Sequence, residues 1–116
     1  MKTPREKGKQ FEESIACILR HLTGDKTIRP TKASSGGVRN TEIGDIVCKE
    51  FFVEAKNHED ATISLRVWDK LINSIPMNNM KIPLYIIKRP SGEQLITLRL
   101  EDFYGLVKDG INERNK

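Results

Sequence analysis

Apolar residues recur at intervals of three and four in two segments of the chain, and each segment is predicted to be an amphipathic helix. The first segment spans residues 8–22, and its apolar stripe consists of Phe11, Ile15, Ile18, Leu19 and Leu22. The second spans residues 65–75, with Ser64 in the position of an N-cap. Its stripe consists of Val67, Trp68, Leu71, Ile72 and Ile75. Because Trp68 falls on this stripe, we expect it to be a core residue rather than a surface on which DNA bases stack.

Runs rich in β-branched and aromatic residues predict five short strands around these helices. The runs lie at residues 27–31, 45–48, 51–56, 83–89 and 94–100. Residues 32–42 are polar and read as a loop, and a last short helix is predicted to begin at Glu101. The predicted order is α-β-β-β-α-β-β-α, which describes a single α/β domain over residues 1–116 with five strands in one central mixed sheet.

The second and third predicted strands follow each other closely enough to form a hairpin, which brings their outer ends together. Asp45 in the second predicted strand is then level with Glu54 and Lys56 in the third. Because side chains alternate along a strand, Glu54 and Lys56 share one face while Val53 and Ala55 share the other.

Two carboxylates that converge beside a lysine at the end of a buried hairpin indicate a metal site. Mg²⁺ takes oxygen ligands, keeps several waters and is usually held by one or two carboxylates together with substrate phosphate oxygens. Asp45 and Glu54 are therefore the candidate ligands, and Lys56 would face the attacking water.

The same residues resemble the signature of the PD-(D/E)xK nuclease superfamily, with Asp45 followed by Glu54, Ala55 and Lys56. Gly44 stands where the signature has proline. The resemblance implies a restriction-endonuclease-like α/β core and Mg²⁺-dependent hydrolysis of DNA that leaves 5′-phosphates, with Mn²⁺ as a substitute metal. It further implies that the Ala55 carbonyl joins Asp45 and Glu54 as a metal ligand, and that Lys56 orients the attacking water and helps to deprotonate it.

The start of the first helix resembles one branch of this superfamily, the archaeal-type Holliday junction resolvases. In those enzymes a lysine-glycine pair is followed by a glutamate four residues after the glycine, and Lys7, Gly8 and Glu12 match that pattern. The resemblance implies that Glu12 completes the catalytic site. Glu13 is expected to point towards Arg20, although a helix rotated by one residue would exchange the two glutamates. The segment after the last strand, Leu-Glu-Asp-Phe at residues 100–103, is similar to small phage nucleases of this group.

The chain carries a net charge of +4 that is concentrated in its first part. Residues 1–40 hold nine Lys and Arg against four acids, whereas residues 41–116 hold eleven against twelve. Such a distribution suggests a surface for nucleic acid. The predicted DNA-binding residues in this part, which includes a basic arm at residues 1–7, are Lys7, Lys9, Lys32, Ser34, Ser35 and Arg39.

Several other classes of protein fit the sequence poorly. No apolar run approaches the roughly 18 residues of a membrane span, so we expect a cytoplasmic protein without a membrane partner. The two cysteines, Cys17 and Cys48, lie among apolar neighbours and are expected to be buried free thiols rather than zinc ligands. His58 is a loop histidine and is expected to lie on the surface.

The sequence thus favours a Mg²⁺-dependent DNA endonuclease, and a chain of 116 residues leaves no room for a separate target-recognition module. We expect a homodimer that acts on branched DNA, in the manner of a four-way junction resolvase, since a symmetric dimer presents two sites. A nicking, flap or restriction-type nuclease would use the same chemistry. A DNA-binding module without catalysis is the remaining alternative, and it would bind equally well in EDTA and leave DNA intact in Mg²⁺.

Overall fold

The computed structural model describes residues 4–31, 44–57, 62–76 and 80–114. The helices are α1 (Pro4–Thr23), α2 (Leu65–Ser74) and α3 (Leu100–Arg114), and the strands are β1 (Arg29–Pro30), β2 (Ile46–Val47), β3 (Phe51–Asn57), β4 (Ile82–Lys88) and β5 (Gln94–Thr97). Their order along the chain confirms the predicted α-β-β-β-α-β-β-α pattern. None of the described helices is both long enough and apolar enough to cross a membrane.

The five strands form two sheets in the described part of the chain, so the prediction of one five-stranded sheet was wrong. One sheet has the order β3-β4-β5: β3 and β4 are parallel and are connected through α2, whereas β4 and β5 form an antiparallel hairpin. The other sheet contains only β1 and β2, which are antiparallel. Helices and a mixed sheet remain compatible with an α/β nuclease core.

The separation of the two sheets follows from the shortness of β2. Ile46 and Val47 are its only residues, and both pair with β1. On the side towards β3, the chain makes a backbone hydrogen bond just before the strand begins, from the Asp45 N–H to the Val53 carbonyl at 2.8 Å. Asp45 therefore lies level with β3 as expected, but β2 and β3 do not pair with each other, so the prediction that they form a hairpin was wrong.

The three-stranded sheet has a hydrophobic cluster on each face. Residues of α1 pack on one face against alternate residues of β3 and β4, and this cluster includes Phe11, Ile15, Ala16, Leu19, Phe51, Val53, Leu84 and Ile86. Residues of α2 pack on the other face, in a cluster of Phe52, Leu71, Tyr85 and Ile87 with Val67, Trp68, Ile75 and Leu95 at its edge. Trp68 packs against this cluster but is only partly buried, so its expected core position is confirmed in part, and β3 lies between two helices.

The buried face of α1 differs from the predicted stripe. Ile18 and Leu22 are 51 % and 73 % exposed, while Ala16 is fully buried. The helix is therefore turned about its axis towards Ala16, and Glu12, one turn before Ala16, is carried towards the sheet. Cys17 lies on the opposite side and is exposed, so the prediction that it is buried was wrong, whereas Cys48 is a buried free thiol as expected.

Two predicted boundaries also need correction. The helix α1 begins at Pro4, so most of the predicted basic arm at residues 1–7 belongs to the first turns of a helix. Proline suits this position because the first N–H groups of a helix have no partner within the helix. The last helix, α3, was predicted to be short but has 15 residues and runs to Arg114.

Gly44 should be much more sensitive to alanine than Gly24, although both have a positive φ, +74° and +76°. A Cβ at Gly44 would lie 3.0 Å from the Val53 carbonyl oxygen, whereas a Cβ at Gly24 would meet no atom within 4 Å. We expect Gly24→Ala to lower the free energy of unfolding by about 1 kcal/mol, the effect of the backbone conformation alone. Gly44→Ala should lower it by about 2 kcal/mol more because of the crowding.

Urea unfolding of the two variants measures this difference directly. The Gly24→Ala variant serves as the matched control, since it shares the unfavourable φ and the same gain of one methyl group. Equal losses of stability in the two variants would show that the approach of Gly44 to β3 is unimportant for the fold.

Candidate active site

Asp45 is held to its surroundings through its backbone and its side chain. Its N–H donates to the Val53 carbonyl, and its carbonyl accepts the Thr31 N–H at 3.0 Å. Its carboxylate oxygen Oδ2 accepts the Ala55 N–H at 2.7 Å. These three hydrogen bonds fix the carboxylate beside β3, and Oδ1 accepts no hydrogen bond from the described residues.

Gly44 makes this arrangement possible. At its φ of +74° a side chain is strained, and its Cα lies so close to β3 that a Cβ would contact Val53 backbone atoms at 3.0 and 3.3 Å. Proline, which has a φ near −65°, cannot adopt this conformation. The glycine in place of the proline of the PD-(D/E)xK signature is therefore explained by the backbone conformation.

Glu54 and Lys56 lie on the face of β3 that Phe52 shares, and the predicted alternation along this strand is confirmed. The Lys56 Nζ lies 3.2 Å from the Glu54 Oε1, and the two side chains are 46 % and 25 % exposed respectively. Such a partly exposed pair adds little to stability. Its consequence is local, because it holds an ammonium group next to the two carboxylates.

A cleft of about 330 Å³ opens between this end of β3 and helix α2. Its lining residues are Gly44, Asp45, Phe52, Glu54, Lys56, Val67, Lys70, Leu71 and Ser74. Asp45, Glu54 and Lys56, which were predicted from the sequence to act together, thus open into one cavity that solvent and a ligand can enter.

The two neighbouring glutamates of α1 point in different directions. The exposed Glu13 forms an ion pair with Arg20 and so confirms its expected direction. Glu12 is partly buried, and its pKa is raised by loss of hydration and by the negative charges of Asp45 and Glu54. The effect of these two charges on Glu12 means that it lies near the acids of the cleft, and the rotation of α1 towards Ala16 accounts for this placement.

Burial also raises the pKa of Asp45, helped by the charge of Glu54 and opposed by the Ala55 N–H and by Lys56. A carboxylic acid whose pKa is higher in the folded state than in the unfolded state stabilises the fold at pH values below its pKa in the unfolded state. This contribution is lost as the pH rises through its pKa in the folded state. At neutral pH the ionised Asp45 and Glu12 therefore destabilise the folded protein. The pKa of Lys56 is raised despite its own burial, because Glu54 and Asp45 favour the ammonium form.

The described residues contain no group of three or more His, Cys, Asp and Glu side chains that could hold a metal ion by themselves. Two carboxylates are nevertheless present at the cleft, and each has one oxygen that accepts no hydrogen bond from the residues that the structure describes. Asp45 uses Oδ2 for the Ala55 N–H, and Glu54 uses Oε1 for Lys56. One or two carboxylates completed by waters and phosphate oxygens are the kind of donor set that Mg²⁺ takes, whereas a cage made only of protein ligands would suit Ca²⁺ or Zn²⁺ better.

The structure describes only some of the residues that were predicted to bind DNA. Lys7 and Lys9 are exposed on the first turns of α1, and Lys9 lies near enough to Glu12 to oppose the rise of its pKa. Lys32, Ser34, Ser35 and Arg39 lie outside the described residues, as does His58.

Two residues that line the cleft, Lys70 and Ser74, were not among the predicted site residues. A signal for them was present in the sequence, since residues 67, 70, 71 and 74 share one helical face. That signal could be used only if the face of α2 towards Glu54 was known. The predicted stripe of α2 contains apolar residues only, and Lys70 and Ser74 lie at its border.

A comparison with protein families finds a match over residues 3–114, almost the whole chain, to the family described as "Phage putative PDDEXK endonuclease". No curated protein and no solved structure matches the chain. The family match agrees with the resemblance drawn from the sequence, and the three residues on which that resemblance rests, Asp45, Glu54 and Lys56, all line the cleft. The chain is thus a member of the phage PDDEXK endonuclease family.

Proposed function

We propose that this protein is a Mg²⁺-dependent DNA endonuclease whose substrate is branched DNA, in particular a four-way junction. The observation that supports the nuclease chemistry best is the fixed Asp45 carboxylate, which opens into the same cleft as Glu54 and Lys56. The four-way junction as substrate, with a homodimer as the acting form, is supported by the resemblance of Lys7, Gly8 and Glu12 to the resolvases.

In this proposal Asp45, Glu54 and the Ala55 carbonyl would hold the metal. Bound Mg²⁺ would polarise the phosphate, lower the pKa of a bound water and stabilise the leaving oxygen. The water oxygen forms a bond to phosphorus while the bond from phosphorus to the 3′ oxygen breaks, so that the products carry a 5′-phosphate and a 3′-hydroxyl.

Lys56 would act in this reaction as a charged hydrogen-bond donor. Its raised pKa keeps it protonated at neutral pH, so that it can orient the attacking water and stabilise negative charge but is a poor proton acceptor. Glu12 is the better acceptor for the proton of the water, since a carboxylate with a raised pKa is more basic than an ordinary one.

Asp45→Asn should abolish cleavage and leave DNA binding intact or improved. The asparagine oxygen can still accept the Ala55 N–H, so the fold around the cleft is retained while a metal ligand and a negative charge near the phosphate are lost. Cleavage rates of labelled four-way junction, flap, nicked and linear duplex DNA in Mg²⁺ measure this effect, and the wild type should cut the junction fastest.

Glu50→Gln is a suitable control because this exposed acid precedes β3, at the end of the strand away from Glu54. It should cut like the wild type. An Asp45→Asn enzyme with full activity would refute the site, while a wild type that binds DNA in EDTA and cuts none of the substrates in Mg²⁺ would identify a binding module. Preferential cutting of a flap or linear duplex would refute only the four-way junction as substrate.

The same substitution should raise thermal stability in the absence of metal. Because the ionised, partly buried Asp45 destabilises the fold at neutral pH, its replacement by a neutral isostere removes an unfavourable charge. We expect a higher Tm for Asp45→Asn than for the wild type at pH 7 in EDTA. Added Mg²⁺ or Ca²⁺ should raise the Tm of the wild type and not that of the variant.

Differential scanning fluorimetry with and without metal tests this expectation without reference to activity. The Glu50→Gln variant again provides the control and should respond to metal like the wild type. Equal rises of Tm with Mg²⁺ in the wild type and in Asp45→Asn would exclude Asp45 as a ligand.

Glu12→Gln should lose most of the cleavage activity, whereas Glu13→Gln should remain close to the wild type. Glu12 lies near the acids of the cleft, while Glu13 is paired with Arg20 on the exposed side of α1. A group that supports only the chemical step lowers kcat with little change in DNA affinity. Single-turnover cleavage rates and DNA affinities measured in Ca²⁺ separate the two effects.

Glu13→Gln is the matched control, since it makes the same change one residue further along the same helix. Loss of activity in Glu13→Gln alone would mean that the helix presents the other glutamate to the site. Full activity in both variants would remove α1 from the active site.

A further inference from the structure

The cleft has two walls of different chemistry. One wall consists of Asp45, Glu54 and Lys56, with Glu12 nearby, so it contains more negative than positive groups. The other wall is the face of α2 formed by residues 67, 70, 71 and 74, and Lys70 is the charged side chain on it. A polyanion that enters the cleft meets net negative charge on the first wall and a cation on the second.

Lys70 differs from Lys56 in what its ammonium group contacts. Lys56 is paired with Glu54 at 3.2 Å. The side chain of Lys70 is exposed and makes no hydrogen bond or ion pair with any of the described residues. Its position on the cleft is fixed by the helix, because Val67 and Leu71 of the same face pack in the core.

Ser74 is less suited to bind an anion. Its Oγ donates a hydrogen bond to the Lys70 carbonyl at 2.7 Å, so its hydroxyl proton is already used within the helix. The hydroxyl could accept a hydrogen bond but has no proton left to donate to a phosphate oxygen. Lys70 is therefore the side chain on this wall that can bind a negatively charged group.

We propose that Lys70 binds a backbone phosphate of the DNA strand in the cleft and so positions that strand against the acidic wall. This inference rests on the proposed nuclease function, for which it names a further substrate-binding residue. Lys70 offsets the repulsion between the phosphate and the carboxylates, and it does so from the side opposite to Asp45. The cleft volume of about 330 Å³ is at the lower end of the range of small-molecule pockets, which suits one nucleotide unit of a strand.

Lys70→Met removes the charge and keeps most of the length of the side chain, so it tests this role directly. We expect KM for cleaved DNA to rise about tenfold with little change in kcat, because the contact is made in the ground state and in the transition state alike. The plot of log affinity against log salt concentration should become less steep, by about 0.9 with duplex DNA or about 0.7 with single-stranded DNA, as expected for one lost phosphate contact. Lys70→Arg should restore most of the affinity.

Lys49→Met is the matched control, since Lys49 is exposed and precedes β3 at the end remote from Glu54 and Lys56. It changes the net charge equally and should change KM and the salt slope much less. Affinities are measured in Ca²⁺ as well as in EDTA, so that binding is followed even if no cleavage occurs. The Tm of each variant establishes that it is folded.

The possible results distinguish the inference from the proposed function. If the wild type cuts DNA and Lys70→Met has the same KM and salt slope as Lys49→Met, the role of Lys70 is refuted and the nuclease stands. If the wild type does not cut DNA but Lys70→Met alone flattens the salt dependence, the phosphate contact stands and the nuclease is refuted. A wild type that neither binds nor cuts DNA refutes both.

Discussion

The candidate active site depends on the attachment of Asp45 to β3. Two hydrogen bonds cross the short distance between them, one from the Asp45 N–H to Val53 and one from the Ala55 N–H to the Asp45 carboxylate. The chain at Gly44 approaches β3 so closely that a Cβ would crowd the Val53 backbone at 3.0 and 3.3 Å, and its φ of +74° is one that other residues rarely adopt. Glycine is favoured at position 44 because the Asp45 carboxylate lies directly beside β3. Val53 and Ala55, the β3 residues on either side of Glu54, hold Asp45 there through these hydrogen bonds.

The site is held in place by packing that lies elsewhere. Burial raises the pKa values of Asp45 and Glu12, so the ionised groups oppose folding at neutral pH. The hydrophobic clusters on the two faces of the three-stranded sheet provide the stabilisation, because β3 is buried between α1 and α2. Because β3 is fixed on both faces, it can hold Glu54 close to Asp45, which is hydrogen-bonded to the β3 backbone, although the two negative charges repel each other.

The part of the candidate site that could be predicted from the sequence depends on relations between residues that are close together in the chain. Alternation along one strand places Glu54 and Lys56 on the same face, and the short connection between β2 and β3 keeps Asp45 level with them, although the two strands do not pair. Helical periodicity identified α2 and its N-cap, since Ser64 does accept the Val67 N–H. These relations extend over few residues, and their geometry follows from the strand and helix repeat alone.

What the sequence did not predict depends on contacts between elements. The apolar stripe of α1 could have been centred on either side of Ile15, and only packing on the sheet determined that Ala16 is buried and Ile18 exposed. The division into two sheets depends on the length of β2.

Lys70 was overlooked for a related reason. Its helix had been assigned to the core, and a stripe of apolar residues indicates which face is buried without indicating what lies at the border of that face. The two lysines of the cleft show the difference between a local and a tertiary feature. Lys56 lies two residues from Glu54 on the same strand, so its partner can be read from the chain. Lys70 lines the same cleft as the acids only because α2 packs across β3, and among the described residues its ammonium group has no partner of opposite charge.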